Sequence, residues 1–467
     1  MRLSLWRRFL LFCLSALCVW AIGAWQDEFA ANASAPSQSA QPQAAPATSI
    51  LPMEAGLEAE FESYFGRDLA SADRDVAEIT EVLGQIAGET DTTPAVLWAI
   101  PRRDHLHLVM LTQQGEVVRD RYDVPEAELR PTVRRFFFEV ARPRRSDLAA
   151  AQQLHRWIVE PFEAEYFQAE GIDSLLICLG NGLRGLPIAA LYDGDSFLIE
   201  RYNLTRIPAF NLIDTDYKPI EATRLLTMGA SEFDDLAPLP AVPFELDNIR
   251  SAASEVAPDG GYYAPPRQID TTPDPTLLNT DFTVDRLRTK LAARDFDIIH
   301  LATHALFNPG EPDDSFIRFW ETAFPLSRMN ELPWNKPALD LLVLSACQTA
   351  TGDDGAELGF AGLALQSGVK TAIASLWSVS DLGTAALMSE LYRHFDDTTT
   401  KAEALRQTQL ALLNGDVRIE VGELILSETR IPIPAEFIEN GLVPANANIR
   451  LDRPFFWAGF TTIGSPW

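Results

Sequence analysis

The stretch LDLLVLSACQTATGDDGAELGFAGLALQSGVKTAIASLW, residues 339–377, alternates two patterns. A continuous apolar run delivers Cys347, a turn-rich GDDG follows, GFAGLALQSG is amphipathic, and KTAIASLW is apolar again. Short apolar runs bounded by turn residues suit strands buried on both faces, and a helix between two such strands makes them parallel neighbours. The alternation extends outward. SLLICLG, RLLTMGA and FDIIHLATH are further apolar runs, whereas PFELDNIRSAASEV, TVDRLRTKLAARD, GTAALMSELYRHF and KAEALRQTQLALL carry helical spacing. The pattern predicts an α/β fold, a mostly parallel central sheet with helices on both faces. Ligands of such sheets gather at the carboxyl ends of the strands.

Ahead of this core, MEAGLEAEFESYF, ADRDVAEITEVLGQIAG and AAQQLHRWIVEPFEAEYF read as helices and PAVLWAIP as a strand. HLHLVMLTQQGEVVRDRYDV reads as a hairpin turning at Gln114-Gly115. Residues 51–170 therefore form a small α+β region leading into a core at 171–467. Residues 34–50, which take in most of the Ala/Pro/Ser/Gln-rich ANASAPSQSAQPQAAPATS, read as a flexible tether.

Residues 1–33 read as a signal peptide or membrane anchor. Arg2, Arg7 and Arg8 precede an uncharged run of 17 residues, Phe9 to Trp25, a little short of the roughly 20 an upright spanning helix prefers. A cleavage site at Ala31-Asn32-Ala33 and an uncleaved anchor holding the chain at a membrane through residues 9–25 both fit. The expected location is across the inner membrane or tethered in it.

With 467 residues, 47% hydrophobic and 22% charged, the chain suits a large globular core. A net charge of −28 with no basic patch argues against nucleic acid. Four cysteines are too few for a disulfide scaffold. Cys13 and Cys18 sit in the apolar run, and Cys178 reads as a small core hydrophobe.

His300 and His304 lie four apart on what reads as a strand, about 13 Å from one another, so one zinc cannot take both. The helical metallopeptidase pattern would also need a glutamate that is missing. His300 is expected as a satisfied core or sheet-edge histidine and His304 at the strand's tip. The next apolar strand brings Cys347 to its own tip. If the two strands are neighbours, an imidazole and a thiol meet at the active edge, the minimum for a nucleophilic cysteine.

DIIHLATHALF, the 341–381 segment from LLVLSAC to LWSVSD, KAEALRQTQLALL and RPFFWAGFTTIGSPW together resemble the CHAT domain, a relative of caspases and separases among the caspase-like cysteine peptidases. LGNGLRGLPIAALYDGDSFLIERYNLTRIPAF and LAPLPAVPFELDNI are similar to the family's earlier segments, so the resemblance runs from about residue 90. It implies a caspase-like sandwich, with His304 as the catalytic histidine and Cys347 as the nucleophile. The backbone N–H groups of Cys347 and Ala305 would be the oxyanion donors, Ala305 standing where relatives commonly have glycine. Asp381 matches the acidic residue that holds the P1 arginine in separases, and as an alternative it caps the helix that follows. Trp377 is expected in packing, and Arg453 replaces a histidine common in relatives. The helical repeats that many relatives carry are lacking.

The expected function is a cysteine endopeptidase acting on protein or peptide substrates, needing no metal or organic cofactor, with any regulatory partner unidentified. A catalytically idle scaffold and a thiol sensor are the alternatives.

Overall fold

The computed structural model describes residues 50–69, 72–144, 147–219, 224–252, 276–293, 296–334, 338–349, 353–395, 397–444 and 446–467, and for 346–349 the backbone alone. The segment read as signal or anchor lies outside them. So does the tether, except for its last residue, Ile50, where the first helix begins. Among the described residues no helix is long and apolar enough to cross a membrane.

Thirteen strands form one sheet among the described residues. Twelve are labelled β1 to β12: Pro94–Pro101, Leu106–Thr112, Gly115–Arg121, Ser174–Leu179, Asn203–Ile207, Leu225–Gly229, Leu277–Leu278, Ile298–Phe307, Phe316–Arg318, Ala323–Pro325, Leu341–Thr349 and Thr371–Ser375. The closing strand is Phe460–Gly464. The order is β10-β9-β8-β11-β12-closing strand-β5-β4-β1-β2-β3, with β6 against β8 and β7 against β6. β6, β8, β11 and β12 run parallel, as do β1, β4, β5 and the closing strand, whereas the margins β2–β3 and β9–β10 are antiparallel. The α/β fold with a mostly parallel central sheet expected from the alternation is the architecture observed. The boundary drawn at 170/171 falls within this sheet, because β1 pairs with β4.

The all-apolar strands follow from burial on both faces. Along β1, Ala95, Leu97 and Ala99 enter the main core, while Val96 and Trp98 enter a second core beneath the helices Ile50–Phe65 and Val76–Thr90. Along β4, Leu175 and Ile177 face the first core and Leu176 and Cys178 the second. Cys178 is fully buried, as expected, and burial drives its thiol pKa well up, so it stays protonated and unreactive.

Three local readings need correction. The hairpin register pairs Thr112 with Gly115, so its two-residue loop is Gln113-Gln114, and Gly115 enters the strand at φ +134°, a conformation that favours glycine. The helix read over AAQQLHRWIVEPFEAEYF breaks after Ile158, near Pro161, and continues through a wider π turn at Glu163–Phe167. A small antiparallel sheet of Arg418–Glu420, Glu423–Ile425, Arg430–Pro432 and Asn448–Arg450 was not foreseen. Its three-residue strands are too short for a periodic signal.

The helix Ile50–Phe65 is pinned by a buried carboxylate. Trp98 Nε1 donates to Glu54 Oε1 at 2.6 Å, and the Asn211 N–H to Oε2 at 3.1 Å. Burial, against those two hydrogen bonds, raises the Glu54 pKa to about 7. Glu54→Ala leaves two buried donors unpaired, at about 1–3 kcal/mol each. Denaturant unfolding at pH 5 should show a loss of a few kcal/mol. Because the folded pKa lies above the unfolded one, the native carboxyl contributes most below the unfolded value, and that contribution is lost as pH rises through about 7. The deficit of the alanine variant should therefore narrow toward pH 8.

Candidate active site

β8 is the longest strand of the sheet, and its two halves have different outer neighbours. Ile298 to Ala302 pair with β6, whereas Ala305 and Leu306 pair with β9. On the inner side β11 follows the whole strand, with an irregularity between the Leu344/Leu301 and Ala346/His304 pairs. His304 thus sits where the sheet forks. β6 ends at Gly229, where a Cβ would meet Ala302 O at 2.5 Å, so glycine permits this close approach. The chain then leaves the sheet through 231–241 and returns as the helix Val242–Ala252. A cavity of about 360 Å³ remains between this segment, the end of β8 and the start of the helix Asp381–His394.

Register brings the two expected strands side by side. Ala346 pairs with His304 and Cys347 with Ala305. Neither strand stops where the sequence reading ended it. β8 continues to Phe307 and β11 to Thr349, because residues 305–307 pair with β11 and Ala305 and Leu306 also with β9. Ala305 is buried and has no positive φ, so alanine fits where glycine was the anticipated norm.

The half-buried His304 ring stands 4.8 Å from that of Phe233, and its Nε2 lies 2.8 Å from Ala237 O. A carbonyl oxygen only accepts, so Nε2 carries the hydrogen and Nδ1 holds the lone pair of the neutral ring. His304, Ala305, Leu306, Ser345, Ser378 and Asp381 all line the cavity.

Ser380 is the cap, its hydroxyl accepting from the Gly383 N–H at 3.2 Å. Asp381 is the first residue of the helix, and its Oδ2 accepts from the Ala241 N–H at 2.5 Å. Burial raises its pKa to about 7, the Ala241 hydrogen bond opposes this, and the Glu245 charge adds to it. Backbone of the 237–241 segment therefore engages both His304 and Asp381.

His300 is the core histidine expected. It is fully buried, with Nε2 2.8 Å from Glu245 Oε1 and Nδ1 3.1 Å from the Tyr392 hydroxyl. Glu245 also lines the cavity, and the sequence reading missed it. The available signal was its place in the apolar stripe Val242, Glu245, Leu246, Ile249. His300→Ala leaves that buried carboxylate without its imidazole, which should cost about 3–5 kcal/mol in urea unfolding. Trp377 packs edge-on against Phe137 at 5.4 Å and donates from Nε1 to Phe455 O, so it belongs to the core as anticipated. Arg453 donates to Pro143 O at 2.6 Å and ties the chain ahead of the last helix to residue 143.

A larger cleft of about 710 Å³ lies between Leu148, Phe197, Arg450 and Arg453, and among the described residues no His, Cys or Ser lines it. After β11, Asp353 caps the helix Asp354–Ala361. There Gly355 packs against the backbone of Gly310, in the loop after β8, too closely for any side chain. The loop after β8 is thereby held against the first turn of the helix Asp354–Ala361. Most of the long loop before the Val284–Ala293 helix lies outside the described residues.

A family model described as the CHAT domain matches residues 148–465. No curated protein sequence matches the chain. Among solved structures, Saccharomyces cerevisiae separase in its complex with securin is similar at 10% identity and a TM-score of 0.46, over 84% of this chain and 31% of that one. The chain thus spans about a third of the separase chain. The Arg-specific cysteine proteinase gingipain R of Porphyromonas gingivalis is similar at 12% identity and a TM-score of 0.35, over 73% of this chain and 74% of that one.

Proposed function

Because the chain belongs to the CHAT domain family, we propose that it is a cysteine endopeptidase working through His304 and Cys347, with a preference for a basic residue at P1. The observation that carries this reading is that β8 and β11 are neighbouring strands, so the segments bearing His304 and Cys347 lie side by side in the sheet. His304 and Asp381 line one cavity of a size for a side chain and its flanking backbone. In the proposed reaction His304 Nδ1 takes the thiol proton, Cys347 Sγ attacks the scissile carbonyl, and the imidazolium returns the proton to the leaving amine. The N–H groups of Ala305 and Cys347 hold the oxyanion, and water then releases the acyl group. Asp381 meets the cationic P1 side chain. The basic, apolar N-terminus supports action outside the inner membrane or tethered to it.

One observation favours a latent form of the same enzyme. The Ala241 N–H occupies Asp381, the group a cationic P1 side chain would need. The test is labelling of the full chain by electrophilic peptides bearing Arg, Lys, Asp or Leu at P1. Labelling at Cys347 that depends on His304 supports the peptidase. Its absence from folded protein with every probe would turn the reading toward the latent form or a scaffold.

A further inference from the structure

The opposite margin of the sheet from β8 carries a second convergence of side chains, on the β2–β3 hairpin. His105 and His107 are two residues apart where the chain enters β2, a spacing that puts side chains on one side of a strand. Asp120 on β3 is the cross-strand partner of His107. One candidate ligand atom from each of the three lies within 4.8 Å of the other two. Asp120 Oδ1 is 2.6 Å from His107 Nδ1 and 3.5 Å from His105 Nε2.

Those separations bear on what the cluster can hold. Ligand atoms about 2.0–2.1 Å from a tetrahedral dication stand roughly 3.3 Å apart, between the two distances observed. The far nitrogen of His105, Nδ1, lies 2.9 Å from Asp104 Oδ1. A carboxylate in that position holds the proton on Nδ1 and turns the Nε2 lone pair toward the cluster, as the outer carboxylates of metal-bound histidines do. The imidazoles are only 18% and 15% exposed, so the donors are sheltered and their rings constrained. The ring of Tyr122 lies 4.7 Å from that of His105 and limits its rotation further. Two imidazole nitrogens and one carboxylate oxygen suit borderline-soft first-row dications, whereas calcium and magnesium prefer oxygen throughout.

We propose that this hairpin binds one divalent transition-metal ion of the zinc class through His105 Nε2, His107 Nδ1 and Asp120 Oδ1. Asp104 orients His105, and a fourth position is open to water. The ion bridges β2 to β3 and braces the edge of the sheet. It is separate from the thiol chemistry and stands whether or not that chemistry occurs.

The full chain, stripped with a chelator, would be titrated with zinc against a chromogenic competitor and with cobalt(II) in the visible range. One equivalent of zinc should bind, and cobalt should give the intense d–d bands of four-coordination. His105→Ala and His107→Ala should each abolish stoichiometric binding, and Asp104→Asn should weaken it about 10-fold or more. Circular dichroism would check each variant. His105 precedes the strand, so His105→Ala remains the readout if His107→Ala disturbs the hairpin. Binding of less than one equivalent by the parent, or undiminished binding by folded His105→Ala, would overturn the proposal.

Discussion

His304→Ala should slow the labelling of Cys347 by an electrophilic peptide about 10²–10⁴-fold while changing stability by no more than about 1 kcal/mol. The first expectation follows from what the imidazole supplies. Without a proton carrier, a cysteine with an ordinary pKa near 8.5 is only a few per cent thiolate at neutral pH, and the leaving amine departs unprotonated. The second follows from the contacts of His304, which is half-buried and meets one carbonyl and the Phe233 ring. His300→Ala should behave in the opposite way, unfolding the protein more easily because Glu245 is buried behind it. The pair of variants thus separates a chemical histidine from a structural one four residues away. Peptide mapping locates the label, and Cys178 serves as an internal control, because its buried thiol should remain unlabelled. Undiminished labelling in His304→Ala would mean that the imidazole does not activate Cys347, and would leave the thiol-sensor reading in its place.

Much of this arrangement was legible because the sheet is buried on both faces. RLLTMGA, FDIIHLATH and LDLLVLSAC have few polar interruptions, and each became a strand of the parallel core. The spacing that ruled out a shared zinc for His300 and His304 was also legible, since it depends only on the rise of a strand. The strand ends were not. Whether β8 stops at His304 or continues depends on β9, which is three residues long and reaches β8 by tertiary pairing. The partition of Ser380 and Asp381 between cap and cavity likewise rests on the Ala241 N–H, 140 residues away along the chain. The cluster proposed as a metal site was not legible for a related reason. His105 and His107 sit at the start of an apolar strand pattern that marks neither as a ligand, and Asp120 joins them only through the hairpin register.

Asp381→Asn should cut the preference for Arg or Lys over Leu at P1 by about 30-fold or more, the scale of a charge pair broken in a partly buried site, about 2–5 kcal/mol. Asparagine keeps the size and an oxygen that can accept from the Ala241 N–H, so the loss reports charge rather than shape. The pH dependence gives a second signature. With a pKa raised to about 7 by burial and by Glu245, the free carboxyl is largely neutral at pH 6 and largely ionised at pH 8. A cationic side chain binds the ionised form, so the basic-P1 preference of the native protein should rise between those values, while that of the asparagine variant stays flat. Stability runs the other way. A folded pKa above the unfolded one means that the contribution of this carboxyl is complete below the unfolded value and is lost as pH rises through about 7. Ionisation thus carries a stability cost in the empty cavity, and the proposed cationic substrate removes that cost on binding. A basic preference that ignores both pH and the substitution would leave Asp381 with the Ala241 contact alone. Discrimination at P1 would then have to come from other lining groups such as Ser345 and Ser378.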